Sequence, residues 1–433
     1  MLSNDSVRFI LEKCRFMPTI RQKRYLWGSV LVGLLTAGIG MLLGKDRLVW
    51  QALLVNAIFF GGLGIGTFMF SVIFTVTNAR WGRPLKRLSE AAIAFFPVTA
   101  LLFVVLLWGA DVLFEWTDPQ KVLHSKEGWL NFEFFAIRNI VMLLLFGFVS
   151  WLYLKASLKP DLGLAAEHRP CRSKLAAFVR SRFGDEESEK KAAESIPKRL
   201  APVLGVLFVL LSTLLAFDWM MSLDQEWFST LFGVQYFVSN LMAGAAFLMI
   251  VSGYFREKIG LAPFFSIKQY HDISKLTFSA CLLWSYMVFS QVLVVWYGNL
   301  PEETPYLVMR MQSEEWSWLF WLIGCLLFAV PFFGLLSRTA CNSIRFSRII
   351  AAIVLIGAWL EKYLLIVPSV QENQIDPHAT QATLPGFELN WIDLGVTIGV
   401  AGAFVLCFIV FLQSVPILPI ADRYFEKQDM RSF

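Results

Sequence analysis

Ten long apolar runs separated by shorter polar segments make up most of this chain, and nothing else in it limits the fold so tightly. About 20 mostly apolar residues cross roughly 30 Å of hydrocarbon, and the backbone there must satisfy its own polar groups. The runs lie at 27–43, 48–76, 91–114, 132–154, 200–217, 229–253, 273–297, 316–337, 349–367 and 391–415. They predict an all-α polytopic membrane protein with about ten transmembrane helices. The first run is short and the second long, which predicts a tilt or a ragged end there.

Residues 1–26 are basic and polar, and the first apolar run continues from them at spanning length. It reads as a retained helix rather than a cleaved signal. Basic residues then set the orientation. With the N-terminus in the cytoplasm, 30 of the 38 Lys and Arg fall in inner segments and five in outer loops. Arg138, Lys275 and Lys362 lie within spans. The expected organisation is a cytoplasmic segment 1–26, helices one to four over 27–154, and a cytoplasmic loop 155–199. Helices five to ten follow over 200–415, then a cytoplasmic tail 416–433. The large loop has helical propensity and mixed charge, and reads as a surface helix or a solvated linker. The expected location is a bacterial inner membrane, with both termini cytoplasmic.

The remaining composition excludes several chemistries. No two of the six cysteines form a CxxC pair, so no disulfide framework, zinc site or cysteine-held iron–sulfur cluster is expected. The four histidines are His124, His168, His271 and His378, three in loops and one at a helix start. Two membrane-buried bis-histidine haems would need four inside the bilayer. No CxxCH or GxxxxGK[ST] is present, and the basic charge is spread between apolar runs rather than gathered for nucleic acid. The glycine run GGLGIG (61–66) lies inside an apolar helix and predicts close helix packing. Redox chemistry here would use a diffusible cofactor or a partner's centres.

Ionisable groups inside spans are costly and point to function. Asp272, Lys275, Ser279, Tyr286, Ser290 and Tyr297 of the seventh span are 3, 4, 7, 4 and 7 residues apart. At about 100° per residue they fall within an arc of roughly 60°. This stripe, with His271 at its inner end, reads as a candidate proton path or quinone-facing surface, or as a polar seam between packed helices. A second set gathers toward the outer ends of spans: Asp111, Arg138, Asp218, Glu361, Lys362 and Asp393, with Gln51 and Asn56. Arg138 lies about 9 Å inside its helix and demands an acidic partner, Asp111 or Asp218. The cluster reads as ion pairs locking helices, or as a carboxylate-lined cavity for quinol deprotonation.

Three strings, LNFEFFAIRNI (130–140), FDWMMSLDQEWFSTLFG (217–233) and HDISKLTFSACLLWSYMVFSQVLVVWYGNLPEETPY (271–306), resemble one family. It is the second large membrane subunit of alternative complex III, the bacterial quinol:cytochrome c oxidoreductase, related to polysulfide-reductase-type membrane anchors. The resemblance covers the ten-span layout and implies two four-helix bundles plus peripheral helices. It implies no haem or metal in this chain, no covalently bound cofactor, and menaquinone or its quinol as a diffusible one. It also implies partners: an iron–sulfur subunit, c-type cytochromes, a related quinol-oxidising membrane subunit, lipid and a terminal oxidase. By resemblance the family-type positions are Arg138, Asp218, Asp224, His271, Asp272, Lys275, Tyr286, Gln291, Tyr297, Glu302 and Glu303. The expected role is support of menaquinol oxidation and of proton transfer within a respiratory complex. The competing readings are a purely structural anchor and a secondary transporter; the latter predicts matched broken spans around a midplane site.

Overall fold

The computed structural model describes residues 18–168, 186–259, 262, 264–372, 386–420 and 422. Among them, ten helices are long and apolar enough to cross a membrane, and none of the described residues is in a strand. They are α1 (Ile20–Leu42), α2 (Asp46–Val76), the broken α3 (Arg83–Leu113), α4 (Phe132–His168) and α5 (Glu186–Trp219). Then come α6 (Thr230–Lys258), α7 (Ile267–Gly298), the broken α8 (Ser317–Leu335), α9 (Ile344–Glu372) and α10 (Trp391–Ser414). The chain is a multi-pass membrane protein.

Local sequence explains the helix ends. Thr19 caps α1 and Ser266 caps α7, each in a reciprocal box with the glutamine three residues on. Asn390 and Asp393 form the same box at α10. The α7 helix stops at Asn299, whose φ of 45° is left-handed, a conformation asparagine tolerates. Breaks fall at a 3-10 turn, Ile93–Phe95, just before Pro97, and at a π-turn, Cys325–Ala329, just before Pro331. The 155–199 segment is in large part a continuation of α4 and α5 beyond the apolar runs; its centre, 169–185, lies outside the described residues.

Two bundles form, α2–α5 and α6–α9, joined where α2 packs against α6, while α1 pairs with α10 alongside α2. The GGLGIG run makes the central crossing. A Cβ on Gly244 of α6 would sit 2.6 Å from Thr67 N, and one on Gly66 would overlap Asn240 O. Backbones approach this closely only where side chains are absent. Gly66→Leu is therefore expected to destabilise the protein by about 1–3 kcal/mol or more, read as a lower melting midpoint in detergent.

Because helices alternate, the segments rich in Lys and Arg gather at one end of the bundles, here called the basic end; the other is the acidic end. A lock outside the predicted sites stands near the basic end. Arg87 donates to Glu90, Asp161 and both oxygens of Ser157. Glu90 also accepts from Ser71 (3.1 Å) and Ser157 (2.8 Å), while Tyr153 bonds Ser71 and Thr75. Arg87, Glu90 and Asp161 are all buried, so helices α2, α3 and α4 are tied by charge-assisted bonds.

Candidate functional site

The outer-end residues separate into three groups rather than one cluster. In the first, Arg138 of α4 meets Asp218 of α5 through two parallel bonds, Nε to Oδ2 (2.7 Å) and Nη2 to Oδ1 (2.8 Å). Asn139 Nδ2 and Trp129 Nε1 donate to the same carboxylate at 2.6 and 3.1 Å. The guanidinium donates its remaining reach to Trp129 O (2.7 Å) and lies over the Trp129 ring at 4.1 Å. Asp218 is wholly buried and its carboxylate accepts four hydrogen bonds, so this group is a knot that ties α4 to α5. Asp111 is exposed and forms no ion pair with Arg138. The two residues offered as partners are thus distinguished by burial.

The second group is Glu361 and Lys362 of α9, both buried in the α6–α9 bundle. Glu361 Oε1 accepts from Gln235 Nε2 (3.1 Å) and Trp284 Nε1 (2.6 Å). Its Oε2 accepts from Lys362 Nζ (2.8 Å) and from Ser239, which Lys362 also reaches at 2.9 Å. Gln291 Nε2 donates to Gln235 Oε1, extending the network to α7. Lys362 Nζ stands 5.0 Å from the centre of the Tyr236 ring.

The third group is Asp393, which closes the α10 capping box and faces Tyr363 of α9. Asn56 likewise serves packing, bonding Ala52 O, Thr397 and Trp359. Gln51 is buried in α2.

A cavity of about 650 Å³ reaches the second group. It lies among α6, α7, α8, α9 and a short helix, Thr304–Gln312. Its polar floor is Gln235, Ser285, Gln291, Arg310 and Glu361; its walls are apolar and aromatic. The mouth opens sideways between α7 and α8, where Tyr286, Phe289, Trp321 and Phe328 are exposed on the membrane-facing surface. The π-turn of α8 forms part of this wall, and such turns recur at functional sites. An apolar pocket with a few converging polar groups is the usual form of a small-molecule site.

Arg310 shapes the floor from below. Pro368 deprives Leu364 O of its intrahelical donor, and Arg310 Nε supplies one at 3.1 Å. Its Nη2 bonds Leu365 O and Ser369. Trp227 and Tyr306 stack beside it with ring centres 3.7 Å apart. Burial pushes the Tyr306 phenol up to about 12, against the opposing pull of Arg310, so it remains a neutral donor. Tyr306 OH and Trp227 Nε1 are buried without a hydrogen-bond partner among the described residues.

The stripe on α7 faces outward. Lys275, Ser279, Tyr286 and Tyr297 are exposed, Asp272 and Ser290 partly so, and the packed face of α7 carries Ser274, Thr277, Trp284 and Gln291 instead. Within this chain the stripe is therefore neither an internal path nor a seam between its own helices; Tyr286 alone of its members reaches the cavity. His271 Nδ1 lies 3.9 Å from Asp272, and its Nε2 is buried without a partner among the described residues. Asp224 closes a turn by accepting from the Glu226 and Trp227 amides.

Sequence reading missed Ser239, Trp284 and Arg310 as site residues, and the Arg87 lock altogether. Ser239 carries no signal, being an ordinary residue of an apolar helix, while Trp284 stands inside the resembling string 271–306 and could have been found there. Arg87 and Asp161 were hidden because apolar windows end where charges begin, so buried charges near a helix end read as loop.

Comparison with known families gives one match. The profile of a family described as polysulphide reductase, NrfD, matches residues 42–372, from the last residue of α1 to the last of α9. The match therefore spans both four-helix bundles and leaves α1 and α10 outside. No curated protein matches the chain.

Proposed function

The chain belongs to the polysulphide reductase NrfD family, whose members are membrane subunits of quinol-linked oxidoreductases, and from that premise we propose that it binds quinol in the α6–α9 cavity. The observation that carries this reading is a membrane-facing apolar cavity ending on a buried carboxylate. A quinol must shed two protons and two electrons on oxidation. The proton needs an acceptor within hydrogen-bond reach of the ring oxygen, and Glu361 is the carboxylate on the cavity floor. Lys362 and Ser239 hold its charge in place, and Gln235 and Gln291 offer an amide pair to orient the ring. The electrons leave to redox centres on partner subunits.

The resemblance of the three sequence strings supports reading the assembly as an alternative complex III with menaquinol as donor, and the excess of Lys and Arg at the basic end supports placing that end in the cytoplasm. Its expected partners are an iron–sulfur subunit, c-type cytochromes and a related quinol-oxidising subunit. The outward stripe on α7, with hydroxyl groups from Ser279 to Tyr297 along the apolar run, fits contact with such a neighbour better than contact with lipid. The test is a pulldown from native membranes with a haem stain: co-recovery of haem subunits is expected, and recovery of the chain alone overturns the assignment.

The cavity itself has a direct probe. Gly324 lines it, and a Cβ there would meet no atom within 4 Å. Gly324→Leu is expected to fold normally yet raise the KM for quinol of the intact complex roughly tenfold, since it fills substrate space. An unchanged KM would place the quinol elsewhere.

A further inference from the structure

Seven buried side-chain nitrogen and oxygen atoms have no hydrogen-bond partner among the described residues. Two of them, Tyr306 Oη and Trp227 Nε1, belong to residues that line the α6–α9 cavity; the other five belong to residues that do not. By contrast the indole of Trp284, in the same wall, donates to Glu361. Burying a donor unmatched costs stability, and native proteins hold few such groups. Here two stand side by side.

Both rings are held firmly. Trp227 and Tyr306 stack with their planes 8° apart, and the Arg310 guanidinium carbon lies 3.5 Å from the centre of the Tyr306 ring. Two partners so close need opposite faces, so Tyr306 is the middle layer of a sandwich. Phe232 meets the Trp227 ring edge-on at 5.1 Å, and the Trp227 amide donates to Asp224 Oδ1 at 3.2 Å. Arg310 anchors the sandwich to α9 through Leu364 O, Leu365 O and Ser369. The two carbonyls stand about one helical turn, roughly 5 Å, beyond Glu361 toward the acidic end. The cavity therefore has a carboxylate at one level and a rigid donor pair about a turn away.

Resting on the quinol reading of this cavity, we propose that Tyr306 and Trp227 bind the second ring oxygen: the phenol O–H and the indole N–H donate to the oxygen para to the one at Glu361. A donor pair needs an acceptor, and a ring oxygen accepts both as hydroxyl and as carbonyl. One helical turn is an offset that a single ring with para oxygens bridges, and the tail then leaves between α7 and α8. Burial keeps the Tyr306 phenol protonated, and the indole is donor only, so neither takes the proton that a quinol sheds at Glu361. The pair acts on affinity instead. A carbonyl accepts more strongly than a phenolic hydroxyl, so the pair favours the oxidised ring over the reduced one.

The test uses the intact complex and dimethylnaphthoquinone, isotope-labelled at its carbonyls. Gly324→Leu narrows the cavity and so marks the share of quinone binding that belongs to it. Tyr306→Phe keeps the sandwich and removes one oxygen that has no partner among the described residues. It is expected to raise the dissociation constant of that share about tenfold and the KM for quinol by less. The melting midpoint of the quinone-free complex should be unchanged or higher, because an unmatched donor is gone. Infrared difference spectra should show one of the two carbonyl bands moving to higher frequency as its hydrogen bond is lost. A lower midpoint with unchanged quinone affinity would make the hydroxyl a packing group, and unmoved carbonyl bands would mean that it does not touch the ring; either overturns the proposal. Adding Trp227→Phe should weaken binding further, and a double variant that binds like Tyr306→Phe alone overturns the paired donation. Binding weakened by Gly324→Leu but not by Tyr306→Phe overturns this assignment alone, whereas binding untouched by both overturns the quinol reading with it.

Discussion

Glu361→Gln lowers quinol oxidation by the intact complex at least about a hundredfold, on the expectation that Glu361 accepts the quinol proton; positioned general bases contribute on the order of 10²–10⁴. The substitution keeps the shape of the side chain and an oxygen for Trp284 or Ser239, so substrate binding should persist. It also leaves the Lys362 ammonium buried without its counter-charge, which could lower the yield of folded protein. The double variant Glu361→Gln with Lys362→Met separates the two effects. It removes both charges, so folding should recover while turnover does not. Full turnover in either variant would remove Glu361 from the chemistry and leave the pair as a packing device. Stopped-flow measurement with a short-chain quinol reads the proton-coupled step without product release.

The second large effect concerns stability. Arg138→Met strips Asp218 of its bidentate partner and leaves a buried carboxylate with only Trp129 and Asn139 as donors. Breaking one side of such a pair costs about 3–5 kcal/mol, a large share of the stability of most folded proteins. Thermal unfolding in detergent should show a marked fall in midpoint. Pairing the change with Asp218→Asn should recover most of the loss, because no charge is then left uncompensated. A loss below about 1 kcal/mol for Arg138→Met would mean that water or a partner subunit reaches the knot. The Arg138 and Glu361 experiments differ in kind: the first should move stability, the second turnover.

The sequence carried the architecture with little ambiguity. Each span is a run of apolar side chains, and the loss of water forces each run to close its own hydrogen bonds. The glycine run could be read as a close crossing for the same local reason: a missing side chain is visible in sequence whatever lies opposite. Arg138 also announced its need for a carboxylate, since an unpaired guanidinium at that depth is too costly to keep.

What could not be read was which group answers another. Asp111 and Asp218 look alike in sequence, yet one is exposed and the other is enclosed by four donors. The α7 stripe has perfect helical spacing, but periodicity reveals only that residues share a face, not where that face points. Packing turned it outward and gave the inner face to Trp284 and Gln291. Glu361 gained its meaning from Gln235, Ser239 and Trp284, which lie 77 to 126 residues away along the chain.

Sequence alone thus determined that the chain spans a membrane with ten helices, where those helices run, and which buried charges require partners. These follow from transfer of side chains and peptide groups out of water, a cost each segment meets for itself. The tertiary structure alone decided that the outer-end charges form separate knots, that one of them floors a membrane-facing cavity, and that Tyr306 and Trp227 stack in the wall of that cavity. Those depend on distances between helices, which the hydrophobicity of a segment does not encode.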